Sequence, residues 1–140
     1  MSERHWEHYS HTADMGIRGF GATKEQAFAQ AALALTAIIT DLQTIEPKEQ
    51  VEISCQGDDD ELLFLSWLNA LLYEMVTRNM LFSKFEINFI GNHLQAKAWG
   101  EPVDIKKHDP AVEVKAATYT DLKVEQDEKG NWVAQCVVDV

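Results

Sequence analysis

Three short runs carry the side chains most able to do chemistry. The first is His8-x-x-His11-x-x-Asp14. Histidine and aspartate both ligate zinc, but this spacing is not a common zinc signature. In an extended chain, residues three apart also point to opposite faces. A histidine general base at either position needs a geometry that spacing alone does not supply. The second run is Val137-Val138-Asp139-Val140. An apolar strand that runs to the last residue sets the Asp139 carboxylate beside that of Val140, and adjacent anions repel unless water or a cation neutralises them. With Asp14 added, the donors are hard oxygens, suited to Ca²⁺ or Mg²⁺ rather than zinc. A solvated strand end is the alternative. The third run is Lys106-Lys107-His108-Asp109-Pro110, followed by Glu113-Val114-Lys115. It reads as a solvated loop or as a recognition loop carried on a rigid scaffold.

Other chemistries lack their residues. There is no Gly-rich phosphate loop, no G-x-S-x-G elbow and no CxxC. Cys55 and Cys136 each sit in an alternating apolar pattern, so both read as small buried hydrophobes, and a reducing cytoplasm is the expected setting. The chain has 140 residues, 46% of them apolar and 25% charged, which suits one domain spanning 1–140. With 23 acidic against 12 basic residues and a net charge of −11, nucleic-acid binding by most of the surface is not expected. A basic partner protein or a hard cation fits that charge, as does plain solubility. The opening Met1-Ser2-Glu3-Arg4-His5-Trp6 has no apolar signal core. The longest apolar stretch, about 62–76, is broken by Ser66, Asn69 and Glu74, so no membrane span is expected.

These runs must be positioned by regular elements. Residues 8–20 read as extended, with a break at Asp14-Met15-Gly16. Thr23 then opens a helix, with Gln26 three residues on completing a capping box. Phe28, Ala31, Leu35, Ile38 and Leu42 share one face of that helix, which is expected to end near Asp41, ahead of Pro47. Val51, Ile53 and Cys55 alternate as a strand. The acids Asp58-Asp59-Asp60-Glu61 suit the positive end of a helix over about 61–78, whose apolar residues cover most of its circumference. Phe85, Ile87 and Phe89 alternate up to Gly91-Asn92, a two-residue hairpin signal, and Leu94, Ala96 and Ala98 form the return strand. Residues 100–110 read as a loop, and strands are expected over 114–119, 122–125 and 132–138. The sum is an α+β single domain with two long helices packed on a largely antiparallel sheet.

Taken in order, several of these segments resemble the archease family. His11-Thr12-Ala13-Asp14-Met15-Gly16-Ile17 is similar to its HTAD-x-G-I opening. Gly21, Glu25 and Ala27 to Ala31 follow into the first helix. Trp67-Leu68-Asn69-x-Leu71-Leu72-Tyr73, Ala98-Trp99-Gly100-Glu101, His108, Glu113-Val114-Lys115-Ala116-x-Thr118-Tyr119 and Val137-Val138-Asp139-Val140 complete the match. The resemblance covers nearly the whole chain. It implies a strand-helix-strand-strand fold with an insertion. It also implies a non-enzymatic role as cofactor to a GTP-dependent RNA-splicing ligase of the RtcB kind, promoting guanylylation and turnover. It implies a bound divalent cation, Ca²⁺ first and Mg²⁺ second, at Asp14 and Asp139 with the Val140 carboxylate beside them. It further implies functional roles for Lys107 and Glu113, with His11, His108 and Lys115 near them in the matching segments. Three positions depart from the family: His8 stands for an apolar or aromatic residue, Ser10 for an acid or proline, and Thr120 for a frequent His.

Two other readings use the same residues. A metal-dependent phosphoester hydrolase would hold its ion with Asp14, Asp139 and His11 and would turn over phosphoesters unaided. A general acidic chaperone or adaptor would bind many basic proteins, with an affinity that falls steeply with salt.

Overall fold

The computed structural model describes residues 4–140; Met1, Ser2 and Glu3 of the polar opening lie outside the described residues. The elements run β1 (His5–His11), β2 (Asp14–Gly21), α1 (Lys24–Ile39), a 3-10 turn (Leu42–Thr44), β3 (Glu49–Gln56), α2 (Asp60–Arg78), β4 (Met80–Ile90), β5 (His93–Pro102), α3 (Ile105–His108), β6 (Ala116–Ala117), β7 (Lys123–Gln126) and β8 (Trp132–Asp139). The α+β class and the two long helices are as expected. The expected single sheet is in fact two antiparallel sheets, β1-β2-β8-β6 with β7 also on β8, and β3-β5-β4. Helix α1 packs on β2 and β8 of one sheet and β4 of the other; α2 packs on β3 and on β6. The core lies where the helices meet both sheets. There the Trp67 indole N–H donates to the Phe28 carbonyl at 3.1 Å, and Phe28 meets Phe64 and Phe89 edge-on at 5.0 Å.

The caps explain why the helices start where they do. Thr23 Oγ1 accepts from the Gln26 N–H, while Gln26 Oε1 reaches back one residue further than a capping box requires, to the Ala22 N–H. Asp59 caps α2 by accepting from the Leu62 N–H at 2.8 Å, the role expected of the acidic run. Asn79 ends α2 in the left-handed region at φ 53°.

Four boundaries differ from expectation. The break after the first strand falls at Thr12-Ala13, so Asp14 starts β2 rather than sitting in the turn. Helix α1 stops at Ile39 because Thr40 is extended and the Asp41 carboxylate caps the following 3-10 turn, which removes Leu42 from the helix face. Gly100 to Pro102 continue β5, and α3 interrupts the expected loop because Asp104 caps the amides of Lys106 and Lys107. The strand expected over 114–119 shrinks to two residues. There the Asn69 side-chain amide takes both the N–H and the C=O of Ala117, at 2.9 and 3.3 Å, standing in for a neighbouring strand.

Glycine is required where α1 crosses β2. A Cβ on Gly19 would collide with the Ala27 carbonyl and the Ala31 amide, so only a bare backbone lets the helix lie this close. No helix among the described residues is long and apolar enough to cross a membrane.

Candidate functional site

The sheet register brings the two distant aspartates together. Met15 with Val138 is the end pair of this ladder, and each step along β2 moves one step back along β8, so the register carried one residue before Met15 sets Asp14 across from Asp139. On the other side of β2, Asp14 pairs with His11, and beyond Asp139 lies Ala116. Directly opposed residues of antiparallel strands share a face. His11, Asp14 and Asp139 thus form one row on the face with Arg18, away from α1. Alternation carries His8 to the other face, where its Nε2 meets the Ala34 carbonyl of α1 at 2.7 Å. The first run is thereby split, and His8 belongs to the packing of β1 on α1.

The neighbouring row covers part of this face. Tyr9 lies over Gly16, where a Cβ would meet its ring, and Arg18 sits 4.2 Å above that ring. The Tyr9 hydroxyl donates to Asp121 at 3.1 Å. Burial first, and then the Asp121 carboxylate, push the Tyr9 pKa up to about 12. The side chains of Asp14 and Asp139 have no hydrogen-bond or ion-pair partner among the described residues, although the Asp139 carbonyl accepts from the Lys115 N–H at 2.8 Å. Among the described residues, no three His, Cys, Asp or Glu side chains are grouped to hold a metal. His11 therefore does not complete a three-residue ligand set with Asp14 and Asp139, as the hydrolase reading requires. Any further ligand beside the pair has to come from elsewhere, such as the Val140 carboxylate.

The segment from Val103 to Thr118 straps this end of the molecule. The Val103 N–H donates to the Asn79 carbonyl and the Ala111 N–H to the Ile39 carbonyl, at 2.9 and 2.8 Å. The Thr40 hydroxyl donates to the His108 carbonyl. The Lys115 amide then joins the strap to Asp139. Thus Lys107, His108, Glu113 and Lys115 lie at the same end as His11, Asp14, Asp139 and Val140. Glu113 and Lys115 are exposed. His108 is buried, so it does not present itself to a partner as a recognition residue would. An open groove of about 450 Å³ borders the strap, with Leu72, Met75, Val76 and Val112 in its lining.

Beneath the strap lies a residue that spacing and residue type alone leave without a role. Glu101 is buried at the end of β5, accepts from the Glu46 N–H at 2.9 Å and faces His108 Nε2 at 2.9 Å. Lys107 Nζ lies 2.8 Å from Glu101 Oε2. The Lys107 ammonium first, and then the Glu46 amide, hold the Glu101 pKa down at about 2. Only its place in Ala98-Trp99-Gly100-Glu101, an acid at the close of an apolar strand, marked it beforehand.

The chain matches the model of the Archease protein family over residues 6–140. It belongs to the archease family. Protein archease of Pyrococcus furiosus is 45% identical, with 98% of this chain and 99% of that protein covered. Protein archease of Sulfurisphaera tokodaii is 41% identical, with 96% and 98% covered. The solution structure of Methanobacterium thermoautotrophicum protein 1598 superposes with a TM-score of 0.84 at 32% identity, covering 96% of this chain and 98% of that one. In this archease-family chain three of the segments that carry the resemblance meet at one end: the start of β2, the strap and the end of β8.

Proposed function

We propose that the chain is a non-enzymatic cofactor of a GTP-dependent RNA-splicing ligase of the RtcB kind. It would promote guanylylation and multiple turnover of that ligase in tRNA splicing or RNA repair, in the cytoplasm. The observation that carries this reading is that Asp14 and Asp139 sit at the adjoining ends of β2 and β8, one residue past the Met15–Val138 pair, with no counter-charge among the described residues, and that Asp139 is joined to the strap through the Lys115 amide. Like charges directly opposed across strands cost stability. A pair kept without a cation of its own suits binding of an external one. Asp14, Asp139 and the Val140 carboxylate would hold that ion, and an all-oxygen set suits Ca²⁺ and then Mg²⁺. The ion supplies neutralisation. The protein's own residues then do the rest: β2 and β8 are drawn together at their ends, and the strap presents Glu113, Lys115 and Lys107 to the ligase.

The test is multiple-turnover RNA joining by a matching ligase, with and without this protein. The protein is expected to raise the steady-state rate, and both Asp139→Ala and one residue appended after Val140 are expected to abolish the gain. If activation survives both changes, the cation-anchored reading is wrong. Phosphoester turnover by the protein alone would favour the hydrolase reading instead.

A further inference from the structure

The strap holds one lysine in a fixed place and leaves its neighbour loose. Lys106 is exposed, and its ammonium has no partner among the described residues. Lys107 Nζ spans the Glu101 carboxylate, 3.0 Å from Oε1 and 2.8 Å from Oε2, while 35% of its side chain remains exposed. Its backbone is fixed as well, since the Lys107 N–H donates to Asp104 Oδ1 at 3.3 Å. Behind the ammonium the carboxylate is itself immobilised. The Asp104 N–H donates to His108 Nδ1 at 2.9 Å, which makes Nδ1 the acceptor and places the ring proton on Nε2. That proton is donated to Glu101 Oε2 at 2.9 Å, and the Glu46 amide donates to the same oxygen. Lys48 stands 4.0 Å from Oε1, at the edge of the site.

We propose that Glu101 and His108 are positioning residues that hold the Lys107 ammonium, through the Asp104–His108–Glu101 chain of hydrogen bonds, where a partner ligase engages the strap. The proposal rests on the function inferred above. A free lysine loses much rotamer freedom when it docks, and an ammonium held beforehand loses less. His108 and the Glu46 amide both donate to Oε2, so Oε1 and the negative charge are met by Lys107, whose side chain stays 35% exposed toward a partner.

The test uses Glu101→Gln in the full chain. The amide oxygen can still accept from His108 and Glu46, but the charge is gone and an NH₂ group faces the ammonium in place of Oε1, so the hold on Lys107 loosens, with only the Glu46 carboxylate left as an anion, at 3.7 Å. Acylation by a limiting amine-reactive reagent, read by mass spectrometry, is expected to modify Lys107 several-fold more slowly than Lys106 in the unaltered protein and at a similar rate in Glu101→Gln. In the joining assay, Lys107→Ala and Glu101→Gln each lower the maximal activation several-fold. The double variant is no worse than Lys107→Ala alone, and Lys107→Arg, which can also span the two oxygens, retains most of the gain. Equal labelling of Lys106 and Lys107 in the unaltered protein overturns the proposal, and so does additive loss in the double variant. A ligase that the unaltered protein does not accelerate defeats the proposed function, while the labelling result still decides the positioning.

Discussion

Glu101 and the Asp14–Asp139 pair lie at one end of the molecule, under and beside the same strap, but the chain surrounds them differently. Glu101 is buried and meets an ammonium, an imidazole N–H and a backbone amide. Asp14 and Asp139 lie at the adjoining ends of β2 and β8 on a more open face, and their side chains have no donor or cation among the described residues. One carboxylate is neutralised as the chain folds. In the proposed reading the other two await a cation from outside. A buried anion without donors would not be tolerated, whereas a part-exposed pair can be kept at a small cost while water solvates it. In the proposed reading the contrast separates a group that shapes the site from groups that bind at it.

Removing the satisfied carboxylate should have the largest effect. Glu101→Ala leaves the buried His108 ring N–H and the part-buried Glu46 amide without their acceptor, and a loss of about 2–3 kcal/mol is expected in urea or guanidinium unfolding. Next is the cation. A Ca²⁺ concentration one hundred times its dissociation constant should stabilise the unaltered protein by about 2.7 kcal/mol. The shift should vanish with chelator and in Asp139→Asn, while Glu101→Gln should keep it. Loss of the shift in Glu101→Gln would show that the two sites are not separate.

Acid tests the contrast through the sign of its slope. The folded-state pKa of Glu101 is depressed to about 2 from an unfolded value of 4.5, so its contribution is full above pH 4.5 and is lost as pH falls from there toward 2. Glu101→Gln should be less stable than the unaltered protein at neutral pH, and the gap should close across that window. A gap that is constant with pH would mean that the ionised form is not what His108 and Lys107 stabilise.

Much of this was legible in the chain. The periodicity of Phe28, Ala31 and Leu35 and the caps at Thr23 and Asp59 are local signals, and local signals place helices well. Asp14 and Asp139 could be named as oxygen donors from their type, but their meeting depends on β2 pairing with β8, which no local pattern encodes. Two of the boundaries that differ from expectation also depend on contacts at long range. Ala117 is bonded by Asn69, 48 residues away, and α3 is bonded through His108 to Thr40, 68 residues away. Glu101 was hidden for the same reason: an acid at the end of an apolar strand reads as a solvated terminus until Lys107, His108 and Glu46 are brought around it.

The smallest expected effect is also the one with an unusual sign. Replacing a charged residue that a protein relies on for structure costs stability, yet Asp139→Asn in chelator should stabilise the fold by about 0.5 kcal/mol, since it removes a like charge directly opposite Asp14. Asp14→Asn should do the same, and the double change should gain little beyond either single one, because the repulsion is already gone. Screening weakens the gain as salt rises. Thermal or denaturant unfolding of the three variants at low salt in chelator measures it. A loss of stability in all three would mean that these aspartates hold the sheet end together by contacts of their own, and the contrast with Glu101 would not stand.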